Sequence, residues 1–433
     1  ALALQVCNPA GTQEPYPPES GIHVTLPTLI EDIKRRNKFE AAAAVCFTGQ
    51  DVFEPQQKIR LFWPQDLKDP SPAVVRLQTE AGQIHAEATV DGTQGDELFL
   101  HSPHQIPAGP YRIRMLPLQN EFYDHDMRIT HEIPVWNLGR QAYSAEIYGT
   151  YEKRCQEALV SASQWSDRLI DPRITLFSEI AKMALDRWNL VDVDSILDSL
   201  QRIELLEFLG ILGMICRFGD HDQFPKALLE PIEETILKFP FESTVDTGEN
   251  DQESKQILSS AVELLAGGRF PERKFTSSGR TGHWHRQQGE ARVLQWLYER
   301  GSYGFSAWDS HADFVEQLTA LSHLVDLAES EAVCELSTAL MDKLLATLAN
   351  NTFEGVFGST HGRTNAPFVK GGLLEPTSGI SRLMWGSGVF NQHIAGTVSL
   401  ACMQSYQIAP MIQNIATVKP NEIWHRERHA VQP

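Results

Sequence analysis

Two rhythms of hydrophobic and polar positions divide the chain. Up to about residue 137, apolar and polar residues alternate one by one in short runs: KIRLFW, AVVRLQT, HAEATV, DELFLHS and YRIRMLP. The runs are rich in β-branched and aromatic residues, and turn clusters such as KDPSP, DGTQGD and PHQIPAGP separate them. A period of two, broken by Pro and Gly with no helical pattern between, predicts strands of a β-sandwich of Ig-like type. From about residue 140 the spacing changes. In DFVEQLTALSHLVDLA, Phe314, Leu318, Leu321 and Val325 recur every three or four residues, and Val333, Leu336, Leu340, Leu344 and Leu348 repeat the device in the next segment. Each makes one apolar face of a helix.

About ten such segments follow one another with mostly short connections, which predicts antiparallel neighbours. No fixed-period repeat of the TPR or HEAT kind accompanies them. Two arrangements remain, an open solenoid that presents a surface and an α/α toroid that presents a central cleft. The expectation is a mostly α protein with an N-terminal all-β domain. Residues 1–137 form the sandwich, and residues 138–433 form a toroid of antiparallel helical hairpins.

Composition narrows the partners. With 433 residues, 42% of them hydrophobic and 21% charged, the chain has the make-up of a soluble globular protein of more than one domain. No run approaches the roughly 18 apolar residues of a membrane span. A net charge of −19 opposes binding to nucleic acid or to an anionic membrane, where a basic face supplies the affinity. Residues 269–300 run against this trend, with seven basic side chains against Glu272, Glu290 and Glu299. Either a solvated helix face or a local basic cleft accounts for them. The six cysteines are scattered without a C-x-x-C pair, which favours reduced thiols and a cytoplasmic location. Because the sequence opens on Ala1, secretion stays as the alternative.

The chemistry-bearing residues gather in the last third, in loops or at the starts of helical patterns. GRTGHWHRQQGE carries Arg280, His283, Trp284, His285 and Glu290, and ERGSYGFSAWDSHADF carries Tyr303, Trp308, Asp309 and His311. STHGR carries His361 and Arg363, and MWGSGVFNQHIAG carries Trp385, Asn391 and His393. Aromatics among hydrogen-bonding groups suit a sugar, whose ring faces stack while its hydroxyls seek polar partners. Each stretch has a plainer alternative. Asp309 and Asn391 suit helix caps, and His311 falls beside an apolar face, where a core histidine fits equally well. His283-x-His285 offers two imidazoles to a metal, but no cysteine or H-E-x-x-H frame supports them, so no cofactor is expected. Gly358–Thr364 is one residue short of a phosphate-binding P-loop, lacks its lysine, and follows a segment that reads as helix. His361 and Arg363 therefore read as a base, or hydrogen-bond donor, beside a carboxylate clamp. An ordinary glycine-rich turn is the alternative there.

On these residue types and this layout, residues from about 140 onward resemble the α/α-toroid polysaccharide lyases and their heparinase-like and alginate-lyase-like relatives. The resemblance implies cleavage of a uronic-acid polymer by β-elimination. It implies Asn391 and Arg363 as neutralisers of the substrate carboxylate, His361 or His311 as the base, and Tyr303 as the acid. Trp308, Trp284, His285, His393, Trp385 and Arg280 would line the sugar site. Two other readings stay open. A glycoside hydrolase would use opposed carboxylic acids, Asp309 with Glu290, Glu299 or Glu354. A carbohydrate-binding or scaffold protein would use neither chemistry.

Overall fold

A computed structural model of the chain describes residues 34, 37–63, 73–79, 81–90, 95–117, 131–145, 147–165, 172–241, 253–418, 422, 424, 426 and 427. The chain divides into two compact units, Ala1–Arg140 and Gln141–Pro433.

Among the described residues of the first unit, a helix at residues 37–44 (α1) precedes seven short strands. They are β1 (Val52–Phe53), β2 (Ile59–Phe62), β3 (Ala73–Thr79), β4 (Ile84–Val90), β5 (Glu97–His101), β6 (Gly109–Pro117) and β7 (His131–Asn137). Five make one sheet in the order β1-β7-β6-β3-β4, antiparallel except for the β1–β7 pair, and β2 pairs with β5 separately. The alternation seen in sequence is the reason these runs are strands. Val75, Leu77, Tyr111, Ile113 and Met115 turn inward, and Ile59 and Leu61 join them in one buried cluster. Outward positions carry cross-strand ion pairs such as Arg76–Glu87 at 2.6 Å. The unit is thus a small β region with one core, in place of the expected Ig-like sandwich.

The second unit is helical. Its earlier helices are α2 (Tyr151–Ala162), α3 (Pro172–Ala184), α4 (Val193–Ser199), α5 (Leu205–Phe218), α6 (Leu229–Lys238) and α7 (Glu253–Arg269). Then come α8 (Gly282–Tyr303), α9 (His311–Leu327) and α10 (Glu331–Asn351). A hairpin of β8 (Thr352–Phe353) and β9 (Val356–Phe357) leads to α11 (Ala366–Lys370), α12 (Ser378–Trp385), α13 (Ile394–Ala401) and α14 (Pro410–Thr417). In α9 the expected face holds, with Phe314, Leu318, Leu321 and Val325 all buried. In α10 it shifts. Val333, Leu340, Leu344 and Leu348 are buried, but Leu336 is 45% exposed, and Ser337 and Met341 occupy the buried stripe instead. One step of about 100° carries Leu336 off that face.

Helix α9 packs against α5, α7, α10 and α13. The first helices also meet the last, α2 against α12 and α13, and α3 against α13. Arg154 of α2 is one fastening of that contact. Its Nε donates to Leu383 O at 2.7 Å and its Nη2 to Met384 O at 2.9 Å, both in the last turn of α12. Its Nη1 donates to Gly149 O at 2.7 Å and Tyr148 O at 3.2 Å. A buried cation that satisfies four carbonyls, two of them at a helix C-terminus, is hard to replace. Arg154→Met should destabilise this unit by about 3 kcal/mol. Thermal unfolding checks this as a midpoint lower by roughly 6–10 °C.

Candidate functional site

The stretch STHGR follows β9, not a helix as its sequence context implied. The β8–β9 hairpin turns on Glu354 and Gly355, with φ of 52° and 83°. Two consecutive left-handed residues make the tight turn that matches strand twist. The chain leaving β9 then fastens onto the residues just before α9. Ser359 Oγ donates to Asp309 Oδ2 at 2.5 Å, and His361 Nδ1–H donates to the Asp309 carbonyl at 2.5 Å. Gly362 N–H donates to the Trp308 carbonyl at 2.8 Å. A Cβ at Gly362 would stand 3.0 Å from Trp308 N, so a larger residue would press on the Trp308 backbone. Asp309 itself has a φ of 49°, a left-handed conformation uncommon outside glycine. Two of these bonds fasten Asp309 itself, and the third fastens Trp308 beside it. Ser310 caps α9 by accepting from Asp313 N–H, and Asp313 is held in turn by Ser310 Oγ and by Ser254 Oγ of α7, the latter at 2.7 Å.

This clasp stacks two histidines. The rings of His311 and His361 lie 3.8 Å apart and are tilted by 38°, and Phe357 touches both. His311 Nδ1 lies 3.0 Å from Thr364 Oγ1, and its Nε2 lies 3.9 Å from Glu375 Oε2. Burial, helped by His361 and His393, pushes His311 down to about 4. Glu375 is fully buried, and burial pushes its carboxyl up to about 8 although Thr377 donates to it through both hydroxyl and N–H. Near neutral pH the two therefore face each other uncharged, and 3.9 Å is a packing contact, not a hydrogen bond.

His361 is different. A carbonyl only accepts, so the bond to Asp309 O fixes the proton on Nδ1 and leaves Nε2 with the lone pair of the neutral ring. His361 is half-buried, while Trp308, Arg363 and Thr364 around it are exposed. Among the described residues, Arg363 is tied only by a 3.5 Å contact from Nη1 to Asp313 Oδ1.

Asn391 is close by but occupied. Its Nδ2 donates to Leu373 O at 3.0 Å and Glu375 O at 2.9 Å, and its Oδ1 accepts from His393 N–H at 3.0 Å. It positions the Glu375 segment against the start of α13. His393 stands with its Nε2 2.8 Å from Gln392 Nε2 and its ring edge-on to Phe368. Tyr303 lies exposed at the C-terminal end of α8 and makes no hydrogen bond to either stacked histidine.

The remaining sequence candidates lie elsewhere. Ser254, near the start of α7, bonds Asp313, whereas Glu263, nine residues along, bonds His285. At 1.5 Å per residue the two groups are roughly 14 Å apart along α7. Arg280, His283, Trp284 and His285 thus form a second cluster. His283 pairs with Glu272 at 2.9 Å in solvent while His285 is fully buried, because residues two apart on a helix point away from each other. The pair does not converge on one ion. Trp385 is only 1% exposed inside α12, which makes it core and corrects its expected place in a sugar site. The basic stretch is no open patch either: Arg269, Arg273, Arg286, Arg292 and Arg300 each pair with a carboxylate.

Sequence reasoning missed Glu375, Thr377, Phe357 and Phe368. The available signal was Glu375 as the lone charge within GGLLEPTSGI, an acid among residues that would be buried. Among the described residues, Cys46, Cys155, Cys216, Cys334 and Cys402 are free thiols, and burial pushes Cys402 up to about 11. No helix among the described residues is long and apolar enough to cross a membrane. No protein-family model, curated protein or solved structure matches the chain.

Proposed function

We propose that the helical unit is an α/α toroid that cleaves an acidic polysaccharide by β-elimination at the Trp308–His361–Arg363 surface. The meeting of its first helices with its last supports the toroid reading. The observation that carries the chemistry is His361, whose Nδ1–H is committed to Asp309 O while Nε2 keeps its lone pair. A fixed cation follows two residues on in Arg363, and an exposed indole stands beside the loop in Trp308.

The reaction follows from these parts. Trp308 stacks on a sugar face. Arg363 exchanges its long contact to Asp313 for the uronate carboxylate, which stabilises charge that develops as the proton alpha to it leaves. His361 Nε2 takes that proton, a carbon–carbon double bond forms, and the bond to the neighbouring glycosidic oxygen breaks. Tyr303 is the remaining candidate to protonate the departing oxygen. Asn391, expected as a neutraliser, acts here through position, and its role passes to Arg363.

One observation favours a glycoside hydrolase instead: a carboxyl at about 8, as in Glu375, stays protonated like a general acid. Its complete burial counts against that role unless the STHGR clasp opens. Incubation with alginate, heparan sulfate, hyaluronan, pectate and neutral glucans separates the readings. Elimination yields a product that absorbs in the near ultraviolet. Reducing ends without that absorbance would transfer the assignment to hydrolysis, and neither signal on any polymer would leave a binding role.

A further inference from the structure

Roughly 14 Å along α7 from this surface, three side chains form a second hydrogen-bonded line. Ser278 Oγ lies 2.6 Å from His285 Nε2, and His285 Nδ1 lies 2.7 Å from Glu263 Oε1. The fold builds this alignment from close helix packing. Glu253 of α7 meets Trp296 and Arg300 of α8, and Glu263 meets His285 and Arg292, so the helices run antiparallel. Their backbones nearly touch. A Cβ at Gly289 would stand 2.4 Å from Leu264 N, and one at Gly267 2.4 Å from Arg286 N. Only at such separation does a carboxylate on one helix reach an imidazole on the next. Ser278 comes from the turn between them, which is closed by Gly279 N–H to Phe275 O and Phe275 N–H to Arg280 O, both at 2.8 Å.

The proton positions follow from charge. Glu263 already pairs with the Arg292 guanidinium, so the carboxylate is balanced before His285 is considered. His285 is completely buried, with the rings of Phe275, Phe241 and Trp284 at 4.6, 5.1 and 5.0 Å. An imidazolium there would leave a surplus buried charge, which is costly. The ring is neutral, and the carboxylate can only accept, so the proton sits on Nδ1. Nε2 then accepts from the Ser278 hydroxyl. That is the arrangement of a nucleophilic serine, its base and the group that orients the base. Ser278 is half-buried and its turn neighbours Ser277, Gly279 and Arg280 are exposed, so a small reagent can reach the hydroxyl.

We propose that Ser278, His285 and Glu263 form a second catalytic site that hydrolyses short acyl esters. Ser278 Oγ attacks the acyl carbon as its proton passes to His285 Nε2. The tetrahedral intermediate collapses, the C–O bond to the alcohol breaks, and the alcohol leaves with that proton. Water, deprotonated by His285, then cleaves the acyl-serine and restores the hydroxyl, releasing the carboxylic acid. Arg280, on the same turn with its guanidinium 5.5 Å from the Trp284 ring, is the cation available to the oxyanion. Glu263 is a positioning residue. The inference does not depend on the elimination proposed above, because it uses none of the side chains assigned to that reaction.

The test treats the full chain with a fluorophosphonate and locates the adduct by mass spectrometry, with p-nitrophenyl acetate turnover in parallel. The expected result is a phosphonyl adduct on Ser278. Ser278→Ala should remove it and lower turnover by about 10²-fold or more, with the thermal midpoint lower by only a few degrees for the lost bond to His285. Glu263→Gln should slow the covalent step at saturating probe while the half-saturating concentration stays the same, which loosened packing alone would not do. His285→Gln should also lose labelling, but Ser278→Ala decides the question if that variant fails to fold. An unlabelled wild type, an adduct on Ser277 in place of Ser278, or turnover unchanged in Ser278→Ala would each overturn the proposal.

Discussion

For the elimination proposed above, His361→Ala is expected to lower the rate by about 10²–10⁴-fold, the usual contribution of a positioned general base. The expectation rests on one nitrogen. Nδ1 is spent on the Asp309 carbonyl at 2.5 Å, so the ring can take a proton only at Nε2. Removing the ring also removes that bond, which costs about 1 kcal/mol of stability. A midpoint lower by a few degrees is therefore expected and does not explain the rate. His361→Gln separates the two effects, since its amide can still donate to Asp309 O but cannot act as a base. It should keep the stability and lose the rate. Arg363→Ala should also lose rate, with partial recovery in Arg363→Lys, because a point charge replaces part of what the planar guanidinium does for a carboxylate. The assay is the initial rise of near-ultraviolet absorbance on whichever polymer the wild type cleaves. Rates within about threefold of wild type in both His361 variants would remove His361 from the reaction, since a positioned base contributes far more than that.

Much of the architecture was legible because local periodicity and burial agree. The alternation around Val75 and Leu77 and the three-to-four spacing around Phe314 and Leu318 each placed an element correctly. Where they failed, a tertiary partner decided. Leu336 has the right residue type, but the neighbours of α10 lie over Ser337 and Met341. Trp385 looked like a sugar platform, yet α12 is enclosed on the side that carries it. The odd residues stood out in the sequence as one set. Their division into two clusters was not readable, because it depends on which end of α7 each one meets. STHGR shows the same limit. Its histidine, arginine and glycines stood out, but what it fastens to, Trp308 and Asp309, lies some fifty positions earlier in the chain. Glu375 carried the weakest signal of all, since burial alone makes an ordinary glutamate unusual.

Burial of Glu375 has its own measurable consequence: Glu375→Gln should abolish a loss of stability that the wild type suffers above about pH 6.5. The Glu375 carboxyl is pushed up to about 8 from an ordinary 4.5, so the folded state holds its proton more tightly than the unfolded chain does. Its stabilising contribution is complete below pH 4.5 and drains away as pH rises to 8. That loss is on the order of 4 kcal/mol. His311 slopes the other way. Pushed down to about 4 from 6.5, it favours the folded state fully above pH 6.5 and loses that contribution as pH falls to 4. The loss is on the order of 3 kcal/mol. Between pH 4.5 and 6.5 the two slopes cancel, and outside that window one acts alone. Thermal midpoints of wild type and Glu375→Gln, followed from pH 4 to 8, isolate Glu375, since every other ionisable group is common to both proteins. The amide keeps an acceptor for Thr377 but cannot ionise. In the variant the decline due to Glu375 above pH 6.5 should be absent, and the fall below pH 6.5 should be steeper than in the wild type, because the buried imidazoles of His311 and His323, pushed down to about 4 and about 3, still titrate there. Parallel curves above pH 6.5 would mean that Glu375 is already ionised in the folded protein, and that His311 faces a carboxylate after all.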